Sequence, residues 1–256
     1  MARSRRKPKG GGSPNKKLPL KQSIPLGIQH VLAMFAGNIT VPIIVAGVFG
    51  STTAEKIFLI QMALFVAGVA TIIQTVGIGK IGSRLPIIQG TSFAFIPIML
   101  PFKAIGLGAV FTAAFIGGIF QIWIGKMLKP IRHMFPPLVT GIVVLMIGVS
   151  LLKVGFMYAG GGGWLLNNKP EFFGNGNHLF IAFTVLIVAL VAHQKGKGMV
   201  SSASILLGII AGYIVAMLLG MVNYGKIASA DWFAFPMPFQ YGIDFVWGAV
   251  ILMLFM

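Results

Sequence analysis

The chain has no cysteine and only four acidic residues, Glu55, Glu171, Asp231 and Asp244. The first absence excludes disulfide frameworks, thiol nucleophiles and cysteine-based metal sites. The second is as restrictive. All four carboxylates fall in predicted loops or at the edges of apolar segments, so these residues hold no intramembrane carboxylate of the kind on which proton-coupled transport usually relies. Histidine is also scarce, and His30, His133, His178 and His193 show no metal-ligand spacing. Neither HExxH nor GxSxG occurs, which argues against a membrane hydrolase. Charged residues make up only 9% of the 256, where a soluble domain has about 25%. With 57% hydrophobic residues and a mean hydropathy of +0.92, this is an integral membrane protein.

A net charge of +16 would ordinarily suggest nucleic acid, but its distribution points to membrane orientation instead. Eight of the 20 basic residues (Arg3, Arg5, Arg6, Lys7, Lys9, Lys16, Lys17 and Lys21) lie in the first 22 positions, around a GGGSP stretch. This reads as a disordered cytoplasmic tail suited to anionic lipid, with no nucleic-acid partner. The apolar run that follows is too long for a signal-peptide core and contains Gln29 and His30, so it is expected to remain as the first span.

Seven spans are predicted, near 25–48, 57–76, 85–101, 104–125, 137–154, 178–193 and 200–222. The runs are long and lack the alternation of strands. With the N-terminus inside, the tail and the loops at 77–84, 126–136 and 193–199 hold 15 basic residues, leaving Lys56, Lys103, Lys153, Lys169 and Lys226 outside. That asymmetry supports both the orientation and the span count. The loops at 155–177 and 223–242 then face outward, the second bringing Trp232 and Phe233 to the interface. Residues 243–256 close with FVWGAVILMLFM. Twelve residues rise about 18 Å as a helix, against a hydrocarbon core of about 30 Å, so they are expected to be the start of an eighth span, cut short.

The third span is the exceptional one. It reads LPIIQGTSFAFIPIMLP, broken at Gln89, Gly90, Thr91 and Ser92 and punctuated by Pro86, Pro97 and Pro101. A plain spanning helix needs about 20 continuous apolar residues. Irregular backbone at membrane depth is tolerated only where protein or a cavity surrounds it, and such a break points to a transporter binding site. A short proline-kinked helix with buried hydroxyls is the plainer alternative. His30, inside the first span, requires a hydrogen-bond partner and is a candidate functional group. Other motifs carry less. Gly77-Ile-Gly79-Lys-Ile-Gly82 matches GxGxxG but joins two spans; Gly160–Gly163 lacks the GK[ST] of a phosphate loop; and the Asn38-Ile-Thr40 sequon lies inside a span. In the seventh span Ser204, Gly208, Gly212, Ala216 and Gly220 recur every four residues, a stripe that lets another helix approach closely.

Three strings resemble the nucleobase/ascorbate transporter family, also called nucleobase–cation symporter family 2. They are GIQHVLAMFAGNITVPIIVA (27–46), RLPIIQGTSFAFIPIM (84–99) and FPPLVTGIVVLMIGVSLLKVGFMYAGGG (135–162). They look like that family's first span with its Gln-His pair, its third span, and its fifth span with the following loop. The likeness covers everything after the tail, in order. It implies an all-α polytopic fold of 14 spans built from two inverted seven-span repeats, in which spans 1–4 and 8–11 form a core domain and spans 5–7 and 12–14 a gate domain that mediates dimerisation. On that plan 1–24 is the tail, 25–130 half of the core domain, 131–242 half of the gate domain and 243–256 the start of span 8. The third span would begin with a short extended strand facing its counterpart in the second repeat, with substrate between them.

Carried over by position, the resemblance implies that Phe93 offers its backbone N–H and ring to a nucleobase. Ser92 and Thr91 would line the pocket, Gln89 and Gly90 would shape the strand, and His30 would support the site through hydrogen bonds reaching spans 3 and 8. The family's proton- and substrate-binding glutamate belongs to span 8, beyond these residues, so the 256-residue chain is expected not to transport by itself. GVSLLKVG followed by AGGG resembles the purine branch. The implied activity is proton-coupled uptake of xanthine or uric acid across the inner membrane, without a cofactor other than the coupling proton. A uracil symporter of the same family is the nearer alternative, and a channel-like or anion transporter on the same architecture the more distant one.

Overall fold

The computed structural model describes residues 19–79, 81–131, 136–225, 235–237 and 240–255. The basic tail, and the expectations resting on Lys80, Arg132, His133, Lys226, Asp231, Trp232, Phe233 and Pro238, lie outside the described residues. Within them the regular structure is helical, as composition and the family resemblance imply.

Helix α1 (Leu20–Phe49) runs through Pro25 and Pro42, and α2 (Thr53–Val76) follows a three-residue turn closed by Gly50 in the left-handed conformation at φ 68°. The third predicted span begins as irregular backbone and becomes helical only at α3 (Phe95–Met99), continued by a 3₁₀ turn at Leu100–Phe102. Then come α4 (Leu107–Ile131) and α5 (Pro137–Ala159). Short α6 (Gly163–Asn168) lies in the long loop before α7 (Gly176–Lys195). The seventh predicted span is divided into one turn, α8 (Met199–Ser202), and α9 (Ser204–Leu218), and α10 (Trp247–Leu254) ends the chain. Among the described residues five helices, α1, α2, α4, α5 and α7, are long and apolar enough to cross a bilayer.

Glu55, one of the few acids, has a structural role. Its backbone N–H donates to Thr52 Oγ1 at 3.3 Å while the Thr52 N–H donates to Glu55 Oε2 at 2.7 Å, a reciprocal cap that satisfies two otherwise orphaned donors at the start of α2. Thr52→Ala should cost about 1 kcal/mol, read as a lower thermal midpoint in detergent. An unchanged midpoint would mean that lipid-facing packing alone holds this end of α2.

Two apolar clusters form the core. One joins Val41, Ile44, Val45 and Ala46 of α1 to Leu59 of α2, Ile96 of α3, Leu107 of α4 and Val154 of α5. The other seats Ala249, Val250 and Met253 of α10 against Phe102, Val110 and Ala113. Gly117 makes the second possible, since a Cβ there would lie 3.3 Å from the Met253 carbonyl oxygen. Thr112 secures it: its hydroxyl donates to Gly108 O at 2.8 Å and accepts the Asp244 N–H at 3.1 Å. The outer helices turn apolar side chains outward. Only 6% of the residues in the most apolar stretch of α5 are buried and none of those in α7, as befits surfaces solvated by lipid rather than water.

Candidate functional site

The site starts from a proline. Pro42 has no N–H, so within α1 the carbonyl four residues back, that of Asn38, loses its helical donor. The Thr91 hydroxyl supplies one, donating to Asn38 O at 3.0 Å. The Asn38 side chain completes the join. Only 2% exposed, it accepts the Thr91 N–H on Oδ1 at 2.8 Å and donates from Nδ2 to Ala63 O of α2 at 3.3 Å. About two turns further along α2, Thr71 Oγ1 accepts the Gln89 N–H at 2.9 Å. Between these anchors Gly90 passes close to α1, and a Cβ there would stand 3.2 Å from Asn38 Oδ1. Residues 86–92, neither helix nor turn, are thus laid across α1 and α2 by side chains that replace a β-ladder. Helix resumes when the Ser92 and Phe93 carbonyls accept the N–H groups of Phe95 and Ile96.

This segment forms one wall of an open cavity of about 970 Å³ lined also by α1, α2, α3, α4 and residues 240–243 and 245. Gly90, Thr91 and Ser92 line it. Among the described residues the backbone N–H groups of Gly90, Ser92 and Phe93 make no hydrogen bond. Part of the lining is aromatic: the Tyr241 ring lies 5.7 Å from Phe58, edge on, and 5.7 Å from Phe111, tilted by 40°. The Tyr241 hydroxyl is buried without a partner among the described residues. Burial, and secondarily the Glu55 carboxylate, push its pKa above the ordinary tyrosine value, so the phenol stays protonated and available as a donor at neutral pH. Chemically the cavity offers apolar, partly aromatic walls with a few directed donors, the combination that holds a flat polar heterocycle.

The residues singled out from sequence fall into two groups. Gln89, Gly90, Thr91 and Ser92 come together on the anchored segment; Gln89 is tied to α2 and does not line the cavity. Phe93 packs against the α1-centred core cluster rather than lining the cavity. His30 is exposed and stands apart from the segment, while its neighbour Gln29 donates to Ser202 Oγ at 3.3 Å. In the small-residue stripe, Ser204, Gly208 and Gly212 are buried, with Gly208 and Gly212 against α7, and Ala216 is half-buried. Gly220 is exposed beyond the end of α9, with a left-handed φ of 67°. Sequence reasoning passed over Asn38 except as a sequon, and over Thr71 and Tyr241 altogether. A signal for Asn38 was present: a polar residue four positions before an intrahelical proline.

This chain is similar to a family of known permeases. A family model described as Permease family (Xan_ur_permease) matches residues 21–256. The Clostridium perfringens (strain 13 / Type A) protein CPE0397, which carries a purine-permease name, is 38% identical over 229 residues, 89% of this chain and 50% of that protein. The uric acid transporter UacT of Escherichia coli (strain K12) is 35% identical over 222 residues, covering 85% of this chain and 45% of its own length. The xanthine permease of Bacillus subtilis (strain 168) is 34% identical over 222 residues, or 86% and 50%. The chain spans about half the length of the curated relatives it matches.

Proposed function

We propose, from the premise that this chain belongs to the nucleobase/ascorbate transporter family, that it supplies one wall of the binding cleft of a proton-coupled symporter for xanthine or uric acid. The observation that carries this reading is the segment 89–92. It is irregular backbone between membrane-length helices, tied down by Asn38 and Thr71, and turned toward a cavity with aromatic walls. A chain bears the cost of irregular backbone at that depth where it lines a path or a site. A purine base has flat faces for the aromatic walls and an edge of donors and acceptors for the backbone groups.

In this reading Gly90, Thr91 and Ser92 face the base and Gln89 fixes the strand. Phe93 presents its backbone N–H while its side chain stays packed against the core cluster. His30 supports the site through hydrogen bonds reaching spans 3 and 8, and the glutamate that couples transport to the proton belongs to span 8, beyond these 256 residues. Residues 131–242 contribute to a gate domain that pairs two copies, and the N-terminus faces the cytoplasm of a cell whose inner membrane the protein spans.

The test is uptake of labelled xanthine, uric acid and uracil by cells lacking their own carriers and expressing the whole coding sequence that contains this chain. Saturable purine accumulation, collapsed by a protonophore, is the expected result, with none from residues 1–256 expressed separately. Preference for uracil would move the substrate assignment to the pyrimidine alternative. Uptake indifferent to the proton gradient would favour the channel-like one, and absence of saturable uptake of any of the three would overturn the proposal.

A further inference from the structure

We propose that Asn38 is a positioning residue of the nucleobase site, holding the backbone of residues 89–92 in the register that turns Gly90, Thr91 and Ser92 toward the cavity. The inference deepens the functional reading above and rests on it for the identity of the ligand, though not for the geometry being held.

An asparagine inside an apolar helix is costly unless its polar atoms are used. Here they are used on behalf of another element. Oδ1 takes the Thr91 N–H, Nδ2 reaches Ala63 O on α2, and the main-chain carbonyl takes the Thr91 hydroxyl. Two of the three contacts therefore converge on one residue of the broken span, 53 positions away in sequence. The carbonyl is free to accept because Pro42 follows at the right interval. The obvious alternative role is closed, since the sequon asparagine is 2% exposed and the Thr40 hydroxyl is spent on Ala36 O at 2.6 Å. Asn38 thus ties α1, α2 and the cavity wall into one unit, and its loss should let the wall move while the helices stay packed.

Three variants separate positioning from packing. Asn38→Leu keeps the branched shape and removes the side-chain bonds. Asn38→Asp keeps an acceptor for the Thr91 N–H, and Thr91→Val removes only the hydroxyl bond to Asn38 O. Xanthine KM in the whole protein is expected to rise about tenfold for Asn38→Leu and about threefold for Thr91→Val, with Asn38→Asp between the parent and Asn38→Leu and membrane abundance unchanged. The double variant Asn38→Leu/Thr91→Val should fall short of the product of the two, because both act on one anchor.

A readout independent of substrate uses the absence of native cysteine in this chain. In a protein with a single cysteine, maleimide labelling of Ser92→Cys should change at least about fivefold when Asn38→Leu is added, while labelling of Asn167→Cys, in exposed α6, should not. KM and labelling both within twofold of the parent would overturn the proposal, as would a loss of membrane-inserted protein that is equal in all three variants. If the parent binds no nucleobase yet Asn38→Leu still shifts Ser92→Cys labelling, the functional reading falls and the positioning role stands.

Discussion

Gly208→Leu is expected to separate α9 from α7 and to lower the thermal midpoint of the detergent-solubilised protein sharply. The two helices meet along the small-residue stripe, where a Cβ at Gly208 would stand 2.8 Å from Val185 O and 3.0 Å from Ala189 Cβ. Backbone cannot give way as a flexible side chain can, so a four-carbon side chain must push the helices apart. At Gly212 an added Cβ would collide with the Val185 side chain, so leucine there should act in the same direction. In lipid no hydrophobic term compensates, because the bilayer solvates an exposed leucine as well as a buried one; close approach of the two backbones is itself the source of association. Overpacking of this kind costs about 1–3 kcal/mol. Gly141→Leu on α5, where nothing lies within 4 Å, is the control and should leave the midpoint nearly unchanged. Equal effects at both positions would show that the loss of glycine, rather than a helix contact, is being measured.

On the proposed function, Gly90→Val is expected to weaken nucleobase binding strongly while leaving the thermal midpoint close to the parent value. A Cβ at this position already stands 3.2 Å from Asn38 Oδ1 and 3.7 Å from Met34 Cγ, and the branched carbons of valine must displace the asparagine or lift the segment from α1. Either movement redirects Thr91 and Ser92, the next two residues along the cavity wall. Misdirecting the wall should weaken xanthine binding about 10- to 100-fold, equivalent to about 1.4–2.7 kcal/mol. The stability change should stay below about 1 kcal/mol, since the residue is exposed to the cavity and belongs to no core cluster. Equilibrium binding of labelled xanthine to the whole protein measures the first quantity and detergent melting the second. Undiminished affinity would mean that the segment is not the wall of the site. A collapse of the midpoint would mean that it is part of the core.

Much of this was legible in one dimension. Hydropathy located the membrane-length helices, and prolines around a Gln-Gly-Thr-Ser stretch marked the third span as broken before any helix was seen to stop there. The four-residue interval of Ser204, Gly208 and Gly212 identified a packing face, although not which helix it meets. The helix boundaries were less legible. α1 starts at Leu20, ahead of the predicted 25, and runs through Pro25, its sixth residue, at the loss of the hydrogen bond to Lys21 O; the seventh span is interrupted at Ala203. The resemblance to known permeases drew attention to Phe93 and His30. The folded chain sets Phe93 against the core and leaves His30 exposed, outcomes that depend on side-chain direction and neighbouring helices rather than on residue type.

What the sequence determined by itself is whatever contiguous residues decide together. A run of apolar side chains matches bilayer thickness, a proline removes one helical hydrogen bond, and sparse charges place loops on one side or the other. These forces act along the chain, so they can be read along it. What only the tertiary structure decided is which distant group answers each local deficit. Pro42 announces a free carbonyl, but only the packing of α1 against α2 and the broken span brings the Thr91 hydroxyl to it, Asn38 to the adjoining N–H, and Tyr241 to the lining of the same cavity. Hydrogen bonds act over about 3 Å, and sequence separation says nothing about distance until the helices are in place.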